Sequence, residues 1–255
     1  MTPRARLSER LAGLLSVVVA LTIWELASRL VWQDAQILPA PSQALLAAAR
    51  LLGPWDLAQH VGISLFRIVV GFLLAAVVGV SLGIVLGWSP MAARCLRPFV
   101  EILRPIPPLA WLPLSIIWFG LGEPSKVFVI FLGAFFPIFT SAWRGMTMVS
   151  PTLIRAAQTM DVDGARLLWH VAIPATLPDI AAGLRVGFGL AFGILVAAEL
   201  IAAKSGMGYL IMEARQLGQL GIAIFGIFLI GVVNLVADHQ LARAVRATVG
   251  RWSNV

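Results

Sequence analysis

Charged residues and cysteines are both scarce in this chain of 255 residues. Only 12% of the residues are charged, against roughly a quarter in an average soluble domain, and 60% are hydrophobic. The lone Cys95 excludes an intramolecular disulfide framework, and three scattered histidines do not complete an ordinary zinc site. The composition therefore predicts a membrane protein built from several spanning helices, because lipid requires an apolar exterior and internally paired backbone.

Motifs for catalysis are also missing. The chain has no G-x-x-x-x-G-K-[ST] phosphate loop, no G-x-S-x-G and no H-E-x-x-H. His60, His170 and His239 lie in different segments, and none has an evident nucleophile partner. We therefore expect a chain that is not an enzyme and that holds no metal or cofactor of its own.

The net charge of +7 raises the alternative of nucleic-acid binding. The basic residues are spread in small groups between apolar segments, without a basic helix or an aromatic platform, so we expect no nucleic-acid partner.

Six apolar segments are long enough for a membrane span, which needs about 20 residues. They are residues 11–31, 61–87, 98–118, 126–143, 180–202 and 222–241.

The distribution of Lys and Arg predicts the orientation, because loops inside the cell are enriched in both. With the N-terminus inside, the inner connections hold Arg4, Arg6, Arg10, Arg94, Arg97, Arg104, Arg144, Arg155, Arg166, Arg243, Arg246 and Arg251. The outer connections then hold only Arg50, Lys126, Lys204 and Arg215. We expect both termini in the cytoplasm and a multi-pass protein of the bacterial inner membrane.

The chain reads as one membrane domain, 1–255. Residues 1–60 form a first span and an outer interfacial helix, in which Ser42 after Pro41 is the expected N-cap. Residues 61–240 form the core, which includes a polar cytoplasmic loop at 146–178.

Small residues recur at every fourth position of the second span, where Gly71, Gly79 and Gly83 share a face, and again in the fifth span with Gly187 and Gly193. Faces of this kind let helix backbones approach closely in lipid. We expect them to be packing seams, and a substrate-binding role is the alternative.

The third span is rich in proline, which removes backbone donors and predicts a kinked or interrupted helix. A helix of this kind suits either the wall of a transport pathway or a kink filled by neighbouring helices. The pathway candidates on the third and fifth spans are Pro105, Pro108, Trp111 and Glu199. Ionisable residues in the spans, such as Arg67 and Glu199, are expected to form structural ion pairs more often than substrate contacts.

Residues 151–178, here called the hairpin, interrupt the apolar segments with two short predicted helices. Ser150 is the expected N-cap of the first, with Pro151 at its first position, and Asp163 is the expected N-cap of the second, which should stop before Pro174. Leu153, Ile154, Leu167, Leu168 and Trp169 are the expected apolar anchors for a partner. The alternative is a helix that lies back on the bilayer surface.

The hairpin resembles the EAA loop of binding-protein-dependent ABC transporter permeases. Arg155-Ala156-Ala157, three further residues, Asp161, and then Val171-Ala172-Ile173-Pro174 follow that pattern, although Arg155 replaces the usual Glu and Asp161 the usual Gly. Asp is one of the few residues that adopt a left-handed backbone at tolerable energy, so the turn can survive.

Residues 101–138 and 177–211 are similar to the taurine, aliphatic-sulfonate and nitrate branch of that family, and the likeness extends from about 37 to 238. The resemblance implies an all-α permease of the type I ABC importer fold with six spans, acting as a homodimer in the lipid membrane. It also implies a cytoplasmic ATPase dimer, which binds the ATP and Mg²⁺, and an extracytoplasmic solute-binding protein. The coupling residues it implies are Arg155, Ala156, Ala157, Asp161, Gly164, Trp169 and Pro174.

Taurine or another small sulfonate is the first substrate expected from the resemblance, and nitrate or a related anion is the second. A self-sufficient secondary transporter or channel is the rival class. It would be favoured by an inverted repeat or by paired ionisable residues at the midplane, and neither is evident in the sequence.

Overall fold

The computed structural model describes the backbone of residues 3–32 and 38–249, and the side chains of residues 15–30 and 38–247. Within these ranges every regular element is a helix. In chain order they are α1 (Pro3–Ala27) with a π-helical turn (Ser28–Trp32), α2 (Pro41–Leu51), α3 (Pro54–Trp88), α4 (Pro90–Leu103), a 3₁₀ turn (Pro108–Trp111), α5 (Leu112–Phe119), α6 (Glu123–Thr147), α7 (Pro151–Gln158), α8 (Gly164–Leu167) with a π-helical turn (Leu168–Ala172), α9 (Ile173–Ala202), α10 (Met207–Gln216) and α11 (Leu220–Val249).

Four helical stretches in the described part of the chain are long and apolar enough to cross a membrane. They are Pro54–Trp88, Glu123–Thr147, Gly164–Ala202 and Leu220–Ala247, and they contain the second, fourth, fifth and sixth predicted spans. The bent pair α4 and α5 would be a fifth span. The first predicted span, 11–31, lies partly outside the described side chains, although its backbone is helical in α1.

The third predicted span, 98–118, is interrupted, as its prolines predict. Helices α4 and α5 meet at an angle of 86° across a short break at residues 104–107. Pro105 and Pro107 lie in this break, where neither can donate a backbone hydrogen bond. Helix α4 has no buried residue, whereas α5 buries Leu112 and Ser115. The two halves of the predicted span therefore have different environments.

Helices α3, α6 and α9 form the core. Ile68 and Phe72 of α3 pack with Ile138 of α6 and with Phe188 and Phe192 of α9, all of them buried. A glycine face allows this close approach, because a Cβ at Gly83 would lie only 2.6 Å from the Cβ of Ala142 on α6. Since Gly71 faces Ile130 and Gly87 faces Met146, α3 and α6 run in the same direction.

The glycines of α9 do not all pack in this way. Gly187 faces Ile138 and the Ala134 carbonyl of α6, as a packing seam requires. Gly189 and Gly193 lie on the exposed side of α9, and a Cβ at either would meet nothing within 4 Å in the described part of the chain. The prediction that Gly193 packs against a neighbouring helix is therefore wrong within this chain, because α9 turns that side away from α6.

The N-terminal helices pack on α11. Helix α2 buries Ala44 and Ala48, and Trp24 of α1 stacks on Phe228 of α11 at 5.4 Å between ring centroids. The N-cap of α2 is Ala40, not Ser42 as expected, because the helix already begins at Pro41. The Glu25 carboxylate instead accepts hydrogen bonds from the backbone N–H and the hydroxyl of Ser42, at 3.1 and 2.6 Å.

Candidate functional site: the hairpin, the groove and a buried ion-pair cluster

The first part of the hairpin folds as the sequence predicts. Helix α7 begins at Pro151 after Ser150, and α8 begins at Gly164 after Asp163, although neither preceding side chain makes a capping hydrogen bond. Asp161 adopts a left-handed backbone with φ of 56°, so the residue that replaces the usual glycine keeps the turn conformation. Gly164 is also left-handed, with φ of 50°.

The second helix of the hairpin does not stop before Pro174. Helix α8 passes through the π-helical turn into α9, and Gly164–Ala202 forms one stretch of 39 residues. In the π-helical turn the Ile173 N–H donates to the Leu168 carbonyl, five residues back. A wider turn of this kind accommodates Pro174, which has no N–H and whose ring would crowd the preceding turn of an α-helix. The prediction of a break was therefore wrong, and the hairpin continues directly into a core helix.

The expected apolar anchors of the hairpin divide into two groups. Leu167 is buried, and Ile154 and Leu168 are half-buried against the ends of α3 and α6, so these last two hold the hairpin to the core. Leu153 and Trp169 remain exposed, at 44% and 66%. The prediction of five partner anchors was too broad, because a short helix on a protein surface must also bury one of its own faces.

Met160 is an exposed apolar residue that the sequence reasoning missed. It lies in the turn after α7, next to Asp161, and 78% of it is exposed. Ala156 is exposed and Ala157 half-buried on α7, and Arg155 is also exposed. The exposed surface of the hairpin thus combines small, apolar and basic side chains with the acidic Asp161 and Asp163. The exposure of Met160 could have been predicted from its position in a turn, where a long side chain has no neighbouring helix to cover it.

A groove of about 410 Å³ opens between α6, α9 and the break that follows α4. Its walls include Arg104 and Pro108, Thr140 and Ser141 of α6, and Leu190 of α9. We call it the Arg104 groove. Pro108 was one of the predicted pathway residues, and the structure brings it to this groove.

Two other pathway candidates lie elsewhere. Pro105 is exposed in the break but does not line the Arg104 groove. Trp111 packs in the cluster around Leu112 and Val129, with its ring 6.4 Å from that of Trp118. The break in the third span therefore brings Arg104 and Pro108, and not every proline or tryptophan near it, to the groove.

Glu199 was the fourth pathway candidate, and the structure contradicts that assignment. Its side chain is fully buried and forms an ion pair with the Arg67 guanidinium at 2.7 Å, where both side chains are 0% exposed. Ser64 donates a second hydrogen bond to the carboxylate. An ionised group within a span is stable when it is paired and hydrogen-bonded, and Glu199 satisfies this requirement inside the protein.

Arg67 joins several segments at the end of the molecule opposite the hairpin. Its guanidinium binds both carboxylate oxygens of Glu123 at the start of α6, at 2.5 and 2.7 Å. It also donates to the backbone carbonyl and the hydroxyl of Ser205, in the connection between α9 and α10. We call Arg67, Glu123, Glu199, Ser64 and Ser205 the Arg67 cluster.

The Arg67 cluster also caps α10. The backbone N–H groups of Met207 and Gly208 donate to Ser64 and Glu199, at 2.9 Å each, and Gly206 N–H donates to His60. Gly206 has φ of 120°, and a Cβ there would collide with the Glu199 carboxylate. The sequence offered a signal in the Ser-Gly-Met-Gly stretch, which suits a tight backbone approach, but not the identity of its partners.

Comparison with known proteins identifies the family. The profile of the binding-protein-dependent transport system inner membrane component matches residues 75–248. The chain belongs to this family. Its matched region includes the glycine face of α3 from residue 75 onward, the Arg104 groove and the whole hairpin. The chain is accordingly a permease subunit of an ABC importer, a class that works with an ATPase and a solute-binding protein.

Relatives of this permease share most of its length. It is 38% identical over 242 residues to the taurine transport system permease protein TauC of Escherichia coli, covering 93% of this chain and 88% of that one. It is 33% identical over 237 residues to the nitrate import permease protein NrtB of Synechococcus elongatus, covering 88% and 84%. The resemblance to the taurine, sulfonate and nitrate branch is thus confirmed.

The fold of the permease is confirmed by a solved structure. An inward-facing form of the MetNI methionine ABC transporter contains a chain that matches 75% of this chain and 97% of its own length, with a TM-score of 0.60. The sequences are only 19% identical, so this likeness concerns the fold alone. The predicted all-α, type I permease architecture is therefore correct.

Proposed function

We propose that this permease imports a small sulfonate, with taurine as the first candidate. TauC, which is 38% identical to it, is described as a taurine transport permease, and the likeness extends over most of both chains. Nitrate is the second candidate, supported by the 33% identity to NrtB. Two copies of the chain form the pathway, and the exposed side of α9 around Gly189 and Gly193 is a surface on which a second copy can pack closely.

The hairpin is the contact with the ATPase in this proposal, and it faces the cytoplasm. The observation that carries the proposal is the unbroken helical stretch Gly164–Ala202, which joins the exposed hairpin to the core. A force applied to α7 and α8 moves the end of α9 that is joined to the hairpin. Helix α9 in turn packs along α6 through Gly183 and Gly187. The ATPase can shift the equilibrium between two states of the pathway only through a surface that it binds differently in each, and the hairpin supplies such a surface.

The Arg104 groove is the part of the pathway that the substrate passes in this proposal. Arg104 supplies a positive charge and Thr140 and Ser141 supply hydroxyl groups, whereas none of the described residues that line the groove is a carboxylate. An oxyanion is stabilised by such surroundings and would be repelled by carboxylates. A tight site is not needed here, because the solute-binding protein captures the substrate.

The coupling role is tested with Ala157→Asp. Ala157 is half-buried on α7, so a charged side chain there should disturb the surface that meets the ATPase while the membrane helices remain folded. We expect ATP hydrolysis to continue in proteoliposomes while substrate uptake is lost. Ala157→Ser is the matched control, since it adds a small polar group at the same position without a charge, and we expect it to keep coupled uptake.

Normal, ATP-dependent uptake by the Ala157→Asp transporter would contradict the coupling role of the hairpin.

The substrate is tested separately in the wild-type transporter, reconstituted with its ATPase and solute-binding protein. Uptake of radiolabelled taurine that excess nitrate does not reduce supports the sulfonate. Uptake of nitrate without uptake of taurine would replace the first candidate by the second.

A further inference from the structure

Arg104 is an unpaired cation at the broken segment of the third span. It is the C-cap of α4, it is exposed, and its side chain makes no hydrogen bond or ion pair with any residue that the structure describes. Two arginines inside the long spanning helices do have acidic partners: Arg67 binds Glu199, and Arg185 lies 3.6 Å from Asp238. An unpaired cation within a membrane segment costs a few kcal/mol unless water or an anion meets it.

The groove that Arg104 lines reaches past the hairpin end of α6. Arg104 lines one groove with Thr140 and Ser141, and Ser141 precedes the last residue of α6, Thr147, by six positions. At 1.5 Å per residue Ser141 therefore lies roughly 9 Å from the hairpin end of α6. Irregular backbone in a membrane protein is tolerated where it borders a cavity that water can enter, and Arg104, the first residue of the break at 104–107, lines the open groove.

Thr140 and Ser141 bring hydroxyl groups to the groove that Arg104 lines, and only one of the two is free. Thr140 donates its hydroxyl hydrogen to the Phe136 carbonyl at 2.7 Å. Ser141 is half-buried, and its hydroxyl makes no hydrogen bond to another residue in the described part of the chain. Ser141 is thus free to donate to a ligand, whereas Thr140 is not. A guanidinium and one free hydroxyl donor are a suitable pair for the oxygens of a small oxyanion.

We infer that Arg104 and Ser141 form a transient oxyanion subsite in the groove, at which the sulfonate group of the substrate pauses during transport. The inference deepens the proposed function and rests on it for the identity of the anion. The volume of about 410 Å³ leaves room for a small sulfonate together with water. With a single cation and a partly apolar wall the subsite is weak, which allows the substrate to leave again.

Thiol-reactive probes of opposite charge test the subsite directly. The background is the full transporter with Cys95→Ser, and the reporters are Thr140→Cys and Leu190→Cys on two walls of the groove. The rates of modification by 2-sulfonatoethyl methanethiosulfonate and by its trimethylammonium analogue are compared at each reporter. The anionic probe carries a sulfonate group, and the ratio of the two rates measures the local preference for an anion over a cation.

Removal of the Arg104 charge should lower that ratio. We expect Arg104→Gln to lower the anionic-to-cationic rate ratio roughly five- to tenfold, as the loss of one nearby charge in a partly hydrated site predicts. Arg104→Lys should retain most of the preference. Arg94→Gln is the matched control on the same helix, since ten residues separate it from Arg104, about 15 Å along a helix and beyond the screening length of roughly 8 Å at physiological salt.

Taurine protection and uptake complete the experiment. Taurine at millimolar concentration should slow modification of Thr140→Cys in the transporter with Arg104, and not in the Arg104→Gln variant. Arg104→Gln and Ser141→Ala should both lower taurine uptake while ATP hydrolysis persists. A rate ratio that does not change in Arg104→Gln overturns the subsite, even if the wild type transports taurine. A ratio that falls while the wild type transports nitrate and not taurine supports the subsite and overturns the proposed substrate.

Discussion

At the scale of single residues, Arg67 has the most complete set of partners. Its five hydrogen bonds, to Glu123, Glu199 and Ser205, use all the donors of the guanidinium group. A buried ion pair of this kind adds little stability compared with an apolar replacement, but removal of one partner leaves an uncompensated charge. The role of Arg67 is therefore to fix the positions of three segments relative to one another.

This role predicts a large effect of Arg67→Gln. The substitution leaves Glu199 buried without its cation, and we expect the permease to lose about 3–5 kcal/mol of unfolding free energy. The measurement is denaturation in mixed detergent micelles. Arg97→Gln is the control, since Arg97 pairs with Glu101 on the exposed side of α4, and we expect a loss of about 1 kcal/mol or less. Equal losses in the two variants would show that the Arg67 cluster is not structural.

Asp161 supports a second prediction at this scale. Its left-handed backbone carries a cost for a residue with a Cβ, and a β-branched side chain raises that cost. Asp161→Gly should leave coupled transport unchanged. Asp161→Val should destabilise the hairpin by about 1–2 kcal/mol, which would appear as faster proteolysis between α7 and α8 and as weaker coupling. Identical proteolysis in the two variants would contradict the importance of the turn conformation.

At the scale of elements, the contact between α3 and α6 depends on missing side chains. A Cβ at Gly83 would lie 2.8 Å from the Phe139 carbonyl, and backbone cannot move aside as a flexible side chain can. In lipid the helices associate mainly through such close packing, so the seam sets how α3 and α6 fit together.

Gly83→Ala should therefore destabilise the permease by about 1–3 kcal/mol through overpacking. Gly62→Ala is the control on the same helix, because Gly62 is exposed and a Cβ there would meet no described atom within 4 Å. That change should be neutral or stabilising, by up to about 1 kcal/mol, through the better helix propensity of alanine. The two variants are compared by thermal unfolding in detergent. A stabilising effect of Gly83→Ala would contradict the packing seam.

The continuity of α8 and α9 is the second result at this scale. A proline at position 174 indicates a helix boundary when only the local sequence is considered. The π-helical turn Leu168–Ala172 removes that conflict by displacing the hydrogen-bond ladder ahead of Pro174. Because π-turns have no reliable sequence pattern, only the three-dimensional structure could reveal that the hairpin and α9 form one continuous element.

At the scale of the whole molecule, the hairpin and the Arg67 cluster lie at opposite ends of α6. Cys95 lies on α4, exposed, close to the hairpin end where Arg97 stacks on Trp143 at 5.3 Å. The proposed orientation places this end in the cytoplasm. The native cysteine is therefore a direct probe of the membrane topology.

We expect a membrane-impermeant maleimide to label Cys95 in inside-out vesicles and not in right-side-out vesicles. Cys95→Ser should abolish the labelling, which excludes reaction with another group. A second reporter, Lys204→Cys introduced together with Cys95→Ser in the exposed connection before α10, should show the opposite pattern. Labelling of Cys95 from the outside would reverse the orientation and remove the hairpin from the reach of a cytoplasmic ATPase.

The amino-acid sequence by itself determined the class of protein, most of the spanning segments and the place of the hairpin. These features depend on local properties: apolar length, proline and glycine positions, and the tolerance of Asp161 for a left-handed turn. The family and its branch were also predictable, because the segments that carry the resemblance are long and contiguous in the chain.

The tertiary structure decided which side chains meet. From the sequence Glu199 was both a pathway candidate and an expected ion-pair residue, but its partner could not be named, because Arg67 is 132 positions away in the sequence. From the sequence Arg104 was one of several basic residues of an inner loop. In the structure the bend between α4 and α5 places it on the wall of a groove that Ser141 also lines. Pairing, burial and cavity shape depend on contacts between distant segments, and no local pattern specifies those contacts.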